Sequence, residues 1–155
     1  MKRDAKPILI ADDNRSDAEA LERIIRAANI TNAIHVADTG REVVLYLAGR
    51  GSYSDRERFP FPTLLFLDLI LPWKSGLEIL QWIREREEPE FRALGIVVMT
   101  GFGNTGEIRQ AYRLGAHSFL VKPVSKEDFL NLAHGLRGIR LNSAAKGREL
   151  HFSPD

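Results

Sequence analysis

The sequence has no cysteine, which excludes disulfide scaffolds, thiolate metal sites and cysteine nucleophiles. Neither sign of charge is in surplus. Its 22 basic and 21 acidic residues leave a formal charge of +1, so no whole-chain field draws it to nucleic acid or to a membrane surface, and a partner must be recognised locally. Long apolar runs are also missing. None approaches the roughly 20 residues that span a bilayer, and the opening MKRDAK leads into a strand-like segment instead of a signal-peptide core, so the expected compartment is the cytoplasm. No internal repeat or low-complexity tract stands out. What is present is 155 residues with 44% hydrophobic content, enough for one domain with a real core. A separate output domain is not expected at this length.

Short apolar runs alternate five times with stretches of helical period, the pattern of a parallel sheet covered by helices on both faces. The expected strands are Ile8 to Ala11, Ala33 to Ala37, Thr63 to Leu67, Ile96 to Met99 and Ser118 to Val121. The expected helices follow Asp12-Asp13-Asn14, Thr39, Ser75, the glycine-rich loop Gly101 to Gly106, and Ser125, each site offering cap residues or a turn. The third helix is expected to end before Pro89. The last is expected to carry Phe129, Leu132, Leu136 and Ile139 inward. The connection from Gly49 to Pro62 is long for an α/β loop. The fold class is thus α/β, a doubly wound (βα)5 unit of flavodoxin-like strand order 2-1-3-4-5. It spans residues 7–141, with 1–6 and 142–155 as flexible termini. Leu141, Leu150 and Phe152 make the C-terminal segment a candidate homodimer arm, with simple disorder as the alternative.

In such a sheet ligands bind beyond the carboxyl ends of the strands, where the strand order reverses. That edge receives Asp12 and Asp13 from the first strand, Asp68 from the third, Thr100 from the fourth and Lys122 from the fifth. Three clustered carboxylates raise one another's pKa unless a counter-charge is supplied. A divalent cation such as Mg²⁺, suited to oxygen ligands and keeping several waters, answers that need and leaves positions for phosphoryl oxygens.

The set resembles the receiver domains of two-component response regulators, the CheY-like family. Asp68-Leu-Ile-Leu-Pro72-Trp-Lys-Ser-Gly76 matches the family's D-x-x-x-P-x-x-x-G segment, and Lys122-Pro123 its Lys-Pro pair. The resemblance implies that Asp12, Asp13, Asp68 and the Ile70 carbonyl hold Mg²⁺. It implies that Asp68 takes a phosphoryl group from a histidine kinase or phosphotransfer protein, that Thr100 supplies a hydroxyl and Lys122 a cation, and that the Lys122–Pro123 bond is cis. Phe119 then matches the aromatic switch, and the output face is the fourth helix, fifth strand and fifth helix, near Arg109, Tyr112 and Arg113. The backbone from Gly101 onward can approach the phosphoryl group. Such a protein catalyses its own phosphotransfer and is not otherwise an enzyme. The long connection and the absence of a DNA-binding module resemble the single-domain regulators paired with phytochrome-type histidine kinases. Ile70 and Phe102, both apolar, cannot orient an attacking water, so slow self-dephosphorylation is expected.

Taken singly these residues have plainer readings. Asp12, Asp13 and Asn14 serve as helix caps, Thr100 as a strand end, Lys122 as a surface charge. Gly101-Phe-Gly103-Asn-Thr-Gly106 is literally G-x-G-x-x-G and raises a dinucleotide enzyme, but that reading needs an acidic residue about 20 positions on, where Val121, Lys122 and Pro123 stand. A receiver-like scaffold that is never phosphorylated is the third class. Trp73 is either a reporter of metal binding or an aromatic cover for the site rim. The four histidines, His35, His117, His134 and His151, show no ligand spacing, and Glu85 to Glu90 reads as a solvated helix end.

Overall fold

The computed structural model describes residues 6–101, 105–136, 139–143 and 150–154. Five parallel strands, β1 (Ile8–Ala11), β2 (Ile34–Ala37), β3 (Leu64–Asp68), β4 (Gly95–Thr100) and β5 (Ser118–Val121), lie in the order β2-β1-β3-β4-β5. The alternation within β1 and β3 divides two cores. Leu9, Ala11, Leu65 and Leu67 face α2 (Gly40–Ala48), α3 (Gly76–Arg84) and α5 (Thr105–Arg113). Ile8, Ile10, Leu64 and Phe66 face α1 (Arg15–Ala27) and α6 (Lys126–Gly135). This is why the third strand reads as apolar throughout: every residue is buried, alternately above and below the sheet.

Local chemistry fixes the helix starts. Asn14 accepts the Asp17 N–H at the head of α1, Thr39 accepts the Glu42 N–H at α2, and Ser75 with Glu78 forms a capping box at α3. The long connection is ordered by the end of α2. Arg56 donates to the Tyr46 and Leu47 carbonyls at 2.8 Å each and to Phe59 O at 3.0 Å, closing the helix terminus with a guanidinium. Tyr46, Tyr53 and Phe59 stack around it, with His35 against Tyr46 and Phe59.

The third helix stops at Arg84, before Pro89 as expected, and Pro89–Ala93 forms an additional short helix, α4, that buries Phe91. Proline opens a helix here because its missing N–H falls in the first turn, where no partner is needed. The last helix ends at Gly135, so Ile139 is not on its inner face but begins β6 (Ile139–Ser143). β6 pairs antiparallel with β7 (Leu150–Pro154). Residues 142–143 and 150–154 are therefore in strands. Phe152 is fully buried, packed edge-on to Phe129 in the α1/α6 core, instead of being an exposed arm contact. Asn32 holds the strand there. Its amide donates to Phe152 O at 3.0 Å and to Lys6 O at 2.7 Å, and its oxygen accepts the Phe152 N–H at 2.8 Å.

Candidate functional site

The order reverses between β1 and β3, and the residues just past their carboxyl ends converge. One oxygen each from Asp12, Asp13 and Asp68 lies within 4.8 Å of the others. Asp12 and Asp68 are buried and Asp13 is exposed. Asp12 Oδ1 accepts the Asn14 N–H at 2.9 Å, and Asp68 Oδ1 accepts the Ile70 N–H at 2.9 Å. Lys122 reaches in from the end of β5, its Nζ 2.7 Å from both Asp12 Oδ2 and Asp68 Oδ2. A third carboxylate, Asp17 on α1, accepts from the same ammonium at 3.1 Å.

Small residues let the loops close this tightly. A Cβ on Gly76 would lie 2.6 Å from Asp68 O, and the Gly76 N–H donates to Leu69 O, so α3 begins directly against the end of β3. This is the steric reason for a glycine eight residues after Asp68. A Cβ on Gly40 would meet Lys74 O at 2.1 Å, while the Gly40 N–H donates to Pro72 O, which pins the β3–α3 loop to the head of α2.

Burial is the largest influence on Asp12 and raises its carboxyl above the ordinary range. The Asp68 charge adds to it, against lowering by Lys122 and the Asn14 N–H. Burial pulls Lys122 down, but its contacts with Asp12, Asp68 and Asp17 outweigh it and hold the ammonium above its usual range. Four carboxylates, Asp12, Asp13, Asp17 and Asp68, against one ammonium leave the cluster negative. Asp12 Oδ2 is screened from water and accepts no well-directed hydrogen bond, although the Lys122 charge is beside it. An all-oxygen set with such an atom fits a hard divalent cation.

The remaining expected residues fall around this centre. Thr100 is buried at the end of β4, and its carbonyl accepts the Lys122 N–H at 2.8 Å. Gly101 follows, exposed and with open space where a Cβ would stand. The Lys122–Pro123 bond is cis. Ile70 is 76% exposed beside Asp68. Phe119 is at the surface of β5, edge-on to Tyr112 at 6.3 Å, on the α5–β5–α6 face that the sequence reading numbered as its fourth and fifth helices. Trp73 is 83% exposed, so its indole covers little of the rim. Phe102, Gly103, Asn104 and the His151 side chain lie outside the described residues. Gly106 is inside α5, and the residue after β5 is the cation Lys122, so the glycine pattern does not lead to the acidic partner a ribose needs. Asp17 was missed because an acidic residue in a helix's first turn reads as favourable capping chemistry and nothing more. Its signal was the spacing, about one helical turn beyond Asp12 and Asp13.

A family model described as the response regulator receiver domain matches residues 8–134. Response regulator Rcp1 of Synechocystis sp. is 26% identical over 138 residues, covering 89% of this chain and 90% of that protein. Among solved structures, bacteriophytochrome response regulator RtBRR superposes with a TM-score of 0.76 at 29% identity, over 93% of this chain and 86% of the other. The Mn²⁺-bound form of Rcp1 superposes with a TM-score of 0.71 at 26% identity, over 89% and 99%.

Proposed function

The chain belongs to the response regulator receiver domain family, and from that premise we propose that it is a phosphorylation switch in which Asp68 accepts a phosphoryl group from a phosphohistidine. One observation carries the reading. Asp68 is held between a backbone N–H on one oxygen and the Lys122 ammonium on the other, within 4.8 Å of two further carboxylates. Asp12, Asp13, Asp68 and the Ile70 carbonyl would hold Mg²⁺, and the cation supplies charge neutralisation for the transferring group.

The chain's own residues do the rest. The Ile70 N–H and Lys122 fix the carboxylate in one orientation, so attack needs little reorganisation. A carboxylate oxygen of Asp68 bonds to phosphorus as the bond from phosphorus to the donor's imidazole nitrogen breaks, and the imidazole keeps that electron pair. Lys122 takes up negative charge on the phosphoryl oxygens. The Thr100 hydroxyl and the backbone at Gly101 approach the product, and the aspartyl phosphate biases Phe119 and the α5–β5–α6 face, where Tyr112 and Val121 are also exposed. The protein catalyses only its own phosphotransfer and dephosphorylation. The donor is a histidine kinase or phosphotransfer protein of the cytoplasm. Similarity to the bacteriophytochrome response regulator RtBRR favours a phytochrome-type kinase. Among the described residues no helix is long and apolar enough to cross a membrane.

Incubation with acetyl phosphate, with and without Mg²⁺, followed by intact-mass spectrometry tests this. A Mg²⁺-dependent gain of one phosphate, absent in Asp68→Asn, is expected. An unchanged wild-type mass, with beryllofluoride also failing to bind, would leave a scaffold instead of a switch.

A further inference from the structure

We propose that Asp17 is a positioning residue for Lys122: it is the partner that the ammonium keeps when its other two carboxylates are taken up by the reaction. The inference rests on the phosphoacceptor reading above. An ammonium has three protons and no acceptor. In this structure the ammonium donates to Asp68 at 2.7 Å and to Asp17 at 3.1 Å, and Asp12 Oδ2 lies 2.7 Å away as an ion-pair partner. Asp12 and Asp68 belong to the cluster fitted to a divalent cation, and Asp68 is also the nucleophile in the transfer step. Asp17 belongs to neither set.

Two features suit Asp17 to a fixed role. Its backbone N–H is held by the Asn14 side chain at 3.0 Å, which ties its position to the cap of α1 and so to the loop carrying Asp12 and Asp13. Its side chain is 40% exposed, against 1% for Asp12 and 10% for Asp68. It therefore counters the Lys122 charge from the solvent side, where a carboxylate keeps most of its hydration. A cavity of about 50 Å³ bordered by Asp12, Asp17, Leu21, Met99, Lys122 and Val124 lies beside the lysine. The lysine thus has free space on its Asp17 side, in which its head can swing without repacking the core. With Asp17 as the pivot, that swing has a defined direction. Without it, an ammonium next to a divalent cation is pushed away by like charge.

The test measures phosphorylation by acetyl phosphate at saturating Mg²⁺ for wild type, Asp17→Ala and Asp17→Asn, separating the maximal rate from the half-saturating donor concentration. Mn²⁺ affinity, read by electron paramagnetic resonance of the free ion, and urea midpoints run alongside. Asp17→Ala is expected to lower the maximal rate about tenfold while donor half-saturation, Mn²⁺ affinity and the urea midpoint stay near wild type. Asp17→Asn, which keeps an acceptor oxygen, is expected to recover most of the loss. A wild-type maximal rate in Asp17→Ala overturns the proposal, as does a rate loss that tracks weaker Mn²⁺ binding or lower stability, or an asparagine variant as slow as alanine. If the wild type itself takes no phosphoryl group, the phosphoacceptor reading fails and the role of Asp17 falls with it. If the wild type is phosphorylated and Asp17→Ala matches it, the role of Asp17 alone fails.

Discussion

Replacing Asp12 by asparagine should stabilise the cation-free protein and abolish its stabilisation by Mg²⁺. Asp12 is 2% exposed, with a carboxylate oxygen within 4.8 Å of those on Asp13 and Asp68. At an effective dielectric constant near 20, two unit charges that close repel by about 3.5 kcal/mol, so the two repulsions together reach about 7 kcal/mol. Against them stands the contact with Lys122 at 2.7 Å, worth about 6 kcal/mol on the same scale. The Coulomb sums nearly cancel, and the cost of stripping water from a buried carboxylate decides the sign. The raised Asp12 pKa, caused first by burial, points the same way. A carboxyl whose pKa is raised on folding favours the fold below its unfolded value near 3.8, and that contribution is lost as pH rises through the folded value. Above the unfolded value the buried carboxyl is a liability to the fold. Asparagine keeps an oxygen for the Asn14 N–H and should gain about 1 kcal/mol. Mg²⁺ at ten times its Kd should add about 1.4 kcal/mol to the wild type by mass action, and little to the variant. Urea denaturation in EDTA should thus show the variant more stable, with the gap closing or reversing in Mg²⁺. A variant less stable in EDTA by more than about 1 kcal/mol would make the Asp12–Lys122 pair a structural prop. A wild-type midpoint indifferent to Mg²⁺ would refute the cation site.

Other consequences are equally direct. Phe152→Ala should cost about 3–5 kcal/mol, because the ring is fully buried against Phe129; a shift below about 1 kcal/mol in urea would mean that the hairpin does not seat in the core. Trp73→Gly should leave stability unchanged or raise it by up to about 1 kcal/mol, since Trp73 has φ of 73° in a three-residue turn closed by the Lys74 N–H on Pro72 O and its indole is in solvent; a loss of more than about 1 kcal/mol would contradict this. Burial between Tyr46 and Phe59 lowers the His35 pKa, so its stabilising contribution is complete above about pH 6.5 and falls as pH drops below that value. His35→Leu should therefore flatten the acid side of the stability profile, and an unaltered slope would sink the assignment. With Ile70 apolar beside Asp68, the phosphoprotein half-life should exceed minutes by intact mass; seconds would contradict the expectation.

The order of the sheet and the convergence of Asp12, Asp13, Asp68, Thr100 and Lys122 were legible because each strand is a short apolar run ended by a polar residue, and parallel topology puts all those ends on one edge. Gly76 was legible as a motif position, and the structure adds its cause, the 2.6 Å approach of a Cβ to Asp68 O. The tail was not legible. Its strands pair with each other, and Phe152 is held by Asn32, 120 residues away in the chain, a contact for which local periodicity carries no signal. Pro89 marked the end of the third helix correctly, but the short helix that it opens was not legible, because a proline ends one helix and opens the next with equal chemistry. The guanidinium cap by Arg56 was hidden because a single charged residue in a polar stretch looks solvated until its partner's position is known.

The central claim is an acyl phosphate on Asp68, and borohydride reduction after acetyl phosphate and Mg²⁺ treatment tests it most directly, since reduction converts an aspartyl phosphate to homoserine. Peptide mass spectrometry should find homoserine at position 68 and nowhere else, with none when Mg²⁺ is withheld. Homoserine at position 12 or 13, or a phosphate that survives reduction on Thr100, would contradict the account.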